Sequence, residues 1–271
     1  MRSLRIGCQA YTWQMSGRYT GQLAHILATV QAAGFAGFET EVVNLGRYYD
    51  DPGLLAAELA QRNLALGALC LALPWTQPAE TAEERQEAER LLNYLGHFPG
   101  TLLVLVQLPG RDREDLRHRQ MNAIACVNAV ARRAAERGIV AAYHPNSPPG
   151  SLFRTWDDYQ VLLENLDTRA CGFAPDAGHI AHGGMDVLTV LRDTRPLIRH
   201  VHFKDRAASG EWTAMGAGAI DFPALVALLH ETGYTGWIMV EEESAQAEIE
   251  PDQVTLANGQ YVQKKLLPLL A

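Results

Sequence analysis

The chain has 271 residues, 48% of them hydrophobic, and a formal net charge of −8. An acidic surface repels nucleic-acid phosphates and anionic lipid headgroups, so neither is an expected partner. No apolar stretch is long enough for a signal peptide or a transmembrane helix, and we therefore expect a cytoplasmic protein without membrane contact.

Eight short apolar runs follow one another along the chain and are typical of buried strands. They begin near Arg5, Phe35, Ala65, Thr101, Ile139, Ala170, Ile198 and Gly236. Stretches with helical spacing lie between them, and Gly34, Gly138 and Gly233 fit the left-handed residue that often ends a helix. This alternation predicts an α/β fold, a single (β/α)8 TIM barrel that spans residues 1–271 as one domain. A doubly wound sheet is the rival, but AYTWQ follows the first strand where that fold has a Gly-rich turn.

Ionisable residues stand at the ends of the last four predicted strands. The fifth strand runs into His144, the sixth ends at Asp176, the seventh carries His202 and the eighth ends at Glu241. In a closed parallel barrel the carboxyl ends of all strands meet at one rim. Burying several uncompensated ionisable groups together costs free energy, and a divalent cation removes that cost. We therefore predict that these four residues bind one metal ion.

The predicted ligands are imidazoles and carboxylates, without a thiolate. This donor set favours Mn²⁺ or Co²⁺ and also suits Zn²⁺ or Fe²⁺. The four cysteines are far apart in sequence and form no Cys-x-x-Cys pair. We expect them to be buried free thiols rather than disulfides or metal ligands.

Other polar and aromatic residues near these strand ends have ordinary structural explanations. We predict that His200 is a hydrogen-bonded structural histidine, that Asp205 caps the following turn, and that His182 belongs to a loop entering a helix. Glu242 should face away from Glu241 and pair with a basic helix residue. Ordinary packing is the expected role of three tryptophans that could otherwise stack on a sugar, Trp13, Trp75 and Trp212.

Five segments carry a family resemblance. They are YHPN (residues 143–146), PDAGH (175–179), IRHVHFKD (198–205), GAGAIDF (216–222) and GYTGWIMVEEE (233–243). These segments resemble the sugar phosphate isomerase/epimerase superfamily of xylose isomerase-like barrels, and they are most similar to its inosose dehydratase/isomerase branch. The resemblance is specific in the second half of the chain and weak before Leu105.

The resemblance implies one metal ligand from each of strands five to eight, and Asp176, His202 and Glu241 match those positions. It also implies that Glu39, on the second strand, contacts substrate. The epimerases of this superfamily usually have Glu where this chain has His144. This chain therefore lacks one of the two carboxylates of that proton shuttle. His144 either ligates the metal or acts as an acid–base group.

These observations predict a metal-dependent isomerase or epimerase whose substrate is a sugar or cyclitol. A cation that holds a ketone and its neighbouring hydroxyl acidifies the adjacent C–H and stabilises the enediolate that forms. The acid–base candidates at the rim are Glu241, Glu243, His144, His179 and Lys204. The expected substrate contacts are Glu39, Asn146, His179, Lys204 and Glu243. Lys204 has an alternative role as the ion-pair partner of Glu243.

Three other functions are alternatives to this prediction. Expulsion of a β-hydroxyl after proton removal would make the protein an inosose dehydratase-like lyase. A barrel that binds sugar without converting it is a non-catalytic alternative. An apurinic endonuclease is disfavoured, because the third and fourth strands run into residues 71–74 and 107–108, which add no ligand. The sequence leaves homo-oligomer formation open.

Overall fold

Eight parallel strands form the central sheet in a computed structural model that describes residues 4–270. The strands are β1 (Arg5–Gln9), β2 (Gly37–Glu41), β3 (Ala65–Leu73), β4 (Leu102–Gln107), β5 (Ala141–Tyr143), β6 (Cys171–Phe173), β7 (Val201–Phe203) and β8 (Trp237–Val240). Strands β6 to β1 pair in reverse sequence order, and β1 then pairs with β8 and β8 with β7. Parallel bridges from Phe173 to Ile198 and from Asp176 to His202 join β6 to β7. The predicted TIM barrel is therefore confirmed, and residues 1–3 and 271 of the predicted domain lie outside the described residues.

Helices return the chain between the parallel strands. They are α1 (Tyr11–Gln14), α2 (Leu23–Ala32), α3 (Pro52–Arg62), α4 (Ala82–Leu95), α5 (Leu116–Glu136), α6 (Trp156–Asn165), α7 (Ala177–His182), α8 (Val187–Thr194), α9 (Phe222–Glu231), α10 (Ala245–Ile249) and α11 (Pro251–Tyr261). Gly34, Gly138 and Gly233 have φ angles of 81°, 71° and 70°, so the predicted left-handed helix ends are confirmed. Within residues 4–270, no helix combines the length and the apolar character needed to cross a bilayer.

Two layers of apolar side chains surround the sheet. Large side chains of the strands, among them Phe38, Phe173 and Phe203, are fully buried in the outer layer with residues of the helices. The inner layer is built mainly from small side chains, including Ala142 and Ala174 below His144 and Asp176. Small residues at this level leave space inside the barrel for the polar groups above them.

All four cysteines, Cys8, Cys70, Cys126 and Cys171, are buried and free, as predicted. Burial raises the pKa of each thiol, so these cysteines are apolar packing groups rather than nucleophiles.

A short hairpin that the sequence patterns did not predict follows β7. Its strands, Asp205–Arg206 and Trp212–Thr213, pair antiparallel beside the carboxyl end of the barrel. The Asp205 carboxylate accepts hydrogen bonds from the backbone N–H groups of Gly216 at 2.8 Å and Gly218 at 3.0 Å. Asp205 therefore caps the turn that follows it, as predicted, and this cap holds the hairpin next to β7.

Candidate active site

The four predicted metal ligands meet at the carboxyl ends of β5 to β8. His144 Nε2 lies 3.7 Å from Asp176 Oδ2, and His202 Nδ1 lies 3.3 Å from Glu241 Oε2. Asp176, His202 and Glu241 each offer one candidate ligand atom, and these three atoms lie within 4.8 Å of one another. Barrel closure brings these groups together because the bridge from Asp176 to His202 joins the sixth and seventh strand ends.

Several atoms of this cluster are buried without a hydrogen-bond partner. They are both ring nitrogens of His144, Nδ1 of His202 and Oδ2 of Asp176. The other oxygen of Asp176 accepts the backbone N–H of His179 at 2.7 Å, which fixes the orientation of the carboxylate. An unsatisfied buried polar atom costs about 1–3 kcal/mol, and a coordinated cation would satisfy one ring nitrogen of each histidine together with Oδ2 of Asp176. The residues present therefore fit a divalent metal ion.

Glu39 lies deeper in the barrel than the resemblance implies. It is fully buried, its Oε1 lies 2.8 Å from His202 Nε2, and its other oxygen contacts His200. Burial raises the pKa of Glu39, but the charges of His202 and His200 outweigh burial and hold the pKa well below its ordinary value. Glu39 lies beneath His202 and is absent from the cavity lining, and its contact with substrate stays a prediction. The prediction that His200 is a structural histidine is confirmed.

The contact with Glu39 gives His202 a defined orientation. Because Nε2 faces Glu39, Nδ1 faces Glu241 and the rest of the predicted ligand cluster. A carboxylate that holds the far nitrogen of a ligating histidine fixes its tautomer and raises its basicity. The two histidines of the HVH segment therefore have different surroundings. The His200 ring bonds Glu39, whereas the His202 ring lies between Glu39 and the Glu241 carboxylate.

We expect Glu39→Gln to lower the affinity for Mn²⁺ or Co²⁺ by roughly 10- to 100-fold, because a neutral amide orients His202 less strongly. Isothermal titration calorimetry measures this change. The matched control is Glu41→Gln on the same strand, which contacts neither histidine and should retain the wild-type affinity. An unchanged affinity in Glu39→Gln would contradict the orienting role.

A cavity of about 210 Å³ opens above the cluster. The second-strand carboxylate in its wall is Glu41, which accepts a hydrogen bond from Gln14 Nε2 at 2.9 Å. Burial raises the pKa of Glu41. Glu41 was not among the predicted site residues, although strand alternation places it on the face of Glu39 and one step nearer the rim. The lining also includes Gln9, Tyr11, Asn146, His144, His179, His202, Glu241 and Glu243.

Lys204 occupies the centre of the charged groups at the rim. Its side chain is 1% exposed, and its Nζ contacts Glu243, lies 3.5 Å from Glu241 Oε1 and 3.7 Å from Asp176 Oδ2. Nζ also lies 3.2 Å from His179 Nε2. Burial lowers the pKa of Lys204, but the surrounding carboxylates raise it above its ordinary value, so the ammonium stays charged. The ion pair with Glu243, one of two predicted alternatives, is present.

Glu243 lines the cavity beside Glu241 and is the carboxylate in direct contact with Lys204. Burial raises the pKa of Glu243 to about 7, with Glu241 adding to the rise and Lys204 opposing it. A carboxylate that titrates near neutrality can both accept and donate a proton. Lys204 is absent from the cavity wall and reaches it through Glu243 and His179.

Two other predicted roles are wrong. Glu242 does face away from Glu241, but it accepts hydrogen bonds from Ser244 Oγ and Asn258 Nδ2, both at 2.6 Å, rather than pairing with a basic residue. An amide on α11 satisfies this buried carboxylate. His182 is the last residue of α7, not part of a loop entering a helix, and its Nδ1 lies 2.8 Å from Ser147 Oγ.

The remaining predicted residues have mixed surroundings. Asn146 lines the cavity, but its Nδ2 donates to Gln107 O at 2.9 Å and its Oδ1 accepts from Ser151 Oγ at 2.5 Å. Its contact with substrate stays a prediction. Trp13 and Trp75 are buried packing residues, as expected. Trp212 lies on the hairpin with its ring centroid 5.0 Å from Lys204 Nζ, so it packs against the site rather than in the core.

Residues 27–264 match the model of the xylose isomerase-like TIM barrel family, and the chain belongs to that family. An inosose dehydratase from Clostridium beijerinckii is 26% identical, with 86% of each chain covered. Among solved structures, the IolI protein with a bound zinc atom has a TM-score of 0.77 at 16% identity, covering 98% of each chain. D-allulose 3-epimerase from Methylomonas sp. in complex with D-allulose has a TM-score of 0.76 at 18% identity, again covering 98% of each chain.

Proposed function

We propose that the protein is a divalent-metal-dependent enzyme that removes the proton next to the carbonyl of a sugar or cyclitol. One observation carries the proposal: a buried, unsatisfied set of imidazole and carboxylate donors lies beside a Glu243–Lys204 pair at a single cavity. The first feature suits a cation and the second suits proton transfer, and a metal-assisted reaction at carbon needs both.

His144, Asp176, His202 and Glu241 would hold the ion. When bound, a divalent cation withdraws electron density from a substrate carbonyl and so makes the neighbouring C–H more acidic. Mn²⁺ and Co²⁺ are the preferred ions for this donor set, with Zn²⁺ and Fe²⁺ also suited to it. The zinc atom named for the IolI protein supports a metal in a barrel of this shape.

Residues of the chain itself carry out the proton transfers. Glu243 faces the cavity and takes the carbon-bound proton, while the ammonium of Lys204 holds that carboxylate in place. His179 is in the cavity wall with Lys204 behind it, and the two form the acid group for a departing hydroxyl. A cavity of about 210 Å³ is smaller than the roughly 300–1,000 Å³ common for drug-sized ligands, which favours a single-ring substrate.

Dehydration of a keto-inositol is the specific reaction that we propose. The support is the name of the curated relatives, which are inosose dehydratases at 25–26% identity over most of the chain. Loss of the β-hydroxyl as water then follows removal of the proton. Epimerisation or isomerisation is the second candidate, favoured by two carboxylates, Glu41 and Glu243, in the same cavity wall. Epimerisation removes the proton from one face of a carbon and returns a proton to the opposite face, a task suited to two carboxylates.

The test is a screen of purified protein with Mn²⁺ or Co²⁺ against keto-inositols, ketohexoses and ketopentoses. Dehydration produces a conjugated dicarbonyl that absorbs in the ultraviolet, whereas isomerisation gives no such band and is followed by NMR. We expect an ultraviolet product from a keto-inositol only. A new NMR product without absorbance would replace dehydration by isomerisation. Sugar binding without turnover would contradict an enzymatic function and support the non-catalytic barrel.

A further inference from the structure

Glu41 differs from the other carboxylates of the cavity wall in its partners. Glu241 belongs to the predicted ligand set, and Glu243 is paired with Lys204. Glu41 forms no ion pair with any described residue, and its Oε2 accepts a hydrogen bond from the side-chain amide of Gln14 at 2.9 Å. Glu41 is thus a half-buried carboxylate that only a neutral group holds.

The second oxygen of Glu41 is open. Within the described part of the chain Oε1 has no hydrogen-bond partner, and it is not one of the fully buried unpartnered atoms. Glu41 borders the cavity of about 210 Å³ and also a second cavity of about 300 Å³ that Val43 and Glu87 line. Gln14 lines the first cavity and not the second, so its hydrogen bond holds the carboxylate on the side of the ligand cluster.

Gln14 is itself fixed in place. It lies on the short helix α1, whose first backbone N–H, from Tyr11, donates to Gln9 Oε1 at 2.9 Å. The Gln14 amide oxygen accepts from Asn44 Nδ2 at 2.7 Å. Both ends of the Gln14 amide are therefore bonded, and its N–H points to the carboxylate, which can only accept.

The surroundings of the open oxygen favour a hydroxyl group as its partner. Burial raises the pKa of Glu41, the Gln14 bond opposes the rise, and the charges of Glu241 and Glu39 add to it. The carboxylate is therefore short of donors, and a ligand hydroxyl would supply one. Among the described residues that line the cavity, none is a lysine or an arginine. A phosphate or carboxylate on this side of a ligand would meet no positive side chain.

We propose that Glu41 is a substrate-binding residue whose Oε1 accepts a hydrogen bond from one substrate hydroxyl, and that Gln14 is the positioning residue that turns this oxygen toward the cavity. The inference rests on the proposed function, because it names a contact of the same sugar or cyclitol. The hydroxyl keeps its proton throughout the reaction. The contact is therefore equally strong in the ground state and the transition state, and it contributes to KM rather than to kcat.

The first test is Glu41→Gln. Its probe is the screened compound with the highest kcat/KM or, if none is converted, the compound that binds most tightly in calorimetry. KM, or Kd for a compound that is only bound, should rise by roughly 10- to 100-fold, with kcat and metal content little changed. The new amide would offer its oxygen to Gln14 and its N–H groups to the cavity, where an acceptor is needed. The matched control is Glu87→Gln, which borders only the second cavity, bonds Tyr49 and should change neither constant.

Monodeoxy analogues of the probe identify the hydroxyl. For one analogue, Glu41→Gln should cause no further loss of affinity, because the hydroxyl that Glu41 binds is already missing. The other analogues should lose as much affinity in the variant as the probe does. An equal loss for every analogue, or an unchanged KM, would overturn the proposal. A lower kcat at unchanged KM would also overturn it and would assign Glu41 to proton transfer.

Gln14→Met tests the positioning role. Methionine has a similar length but cannot donate, so KM should rise by about 2- to 10-fold as the carboxylate loses its fixed orientation. In the double variant with Glu41→Gln, the second substitution should add little, because the oriented carboxylate is already gone. Fully additive losses would show that Gln14 acts independently of Glu41 and would contradict this role.

Failure of the contact and failure of the proposed function give different results. A protein that binds a compound of the screen without converting it refutes the enzymatic function. The calorimetric comparison of wild type and Glu41→Gln then still decides whether Glu41 binds the hydroxyl. A protein that binds no compound of the screen overturns both.

Discussion

Asp176→Asn is expected to abolish metal binding and turnover while the protein stays folded. Asp176 supplies Oδ2 to the ligand cluster, and its Oδ1 accepts the N–H of His179 at the start of α7. Asparagine also caps helices well, so the second role survives and only the charged donor is lost. Because a metal ligand contributes more than its orienting partners, the affinity for Mn²⁺ or Co²⁺ should fall by more than about 100-fold. Calorimetry and metal analysis of the purified variant measure the loss.

Asp186→Asn is the matched control for this substitution. Asp186 begins α8 in the same way, accepting the N–H of Thr189 at 2.8 Å, but it is exposed and away from the cluster. Its variant should keep metal and activity. His202→Ala should lose metal like Asp176→Asn, and full metal occupancy in both variants would remove the proposed ligand set.

Lys204→Met is expected to lower kcat by about 10²- to 10⁴-fold, the usual contribution of a positioned acid–base group, while metal content changes little. The methionine approximates the length of the lysine stem but removes the charge that holds Glu243. Steady-state kinetics at saturating metal, together with metal analysis of the same sample, separate the two effects. The control is Lys264→Met, which removes an exposed lysine distant in sequence from every rim residue and should leave both quantities unchanged. A Lys204→Met protein that has lost its metal instead would refute the assigned role.

Periodicity and strand ends predicted much of this structure. All eight strands were found, and the largest shift is at β7, which was expected from Ile198 but begins at Val201. The chain at Ile198 makes only a bridge to Phe173, since hydrogen bonding there is too sparse for a continuous strand. Convergence of the four predicted ligands followed from topology alone, because parallel strands of a closed barrel end at one rim.

The sequence patterns did not predict how deep each side chain lies in the barrel or how the loops fold. Alternation places Glu39 and Glu41 on one face, but it does not say that Glu39 lies below His202 and Glu41 in the cavity wall. Ser147 lies in an irregular segment, and its contact with two residues of α7 depends on how that segment folds back. The hairpin carrying Trp212 was missed because its strands have only two residues each, too few for a period to emerge.

The central claim is that four separated strand ends hold a single divalent cation. The most direct measurement is anomalous X-ray scattering at the absorption edge of the added metal, on crystals of protein incubated with Mn²⁺ or Co²⁺. One peak is expected, within about 2.0–2.3 Å of donor atoms of His144, Asp176, His202 and Glu241. A peak bound elsewhere, or none at full metal saturation, would contradict it.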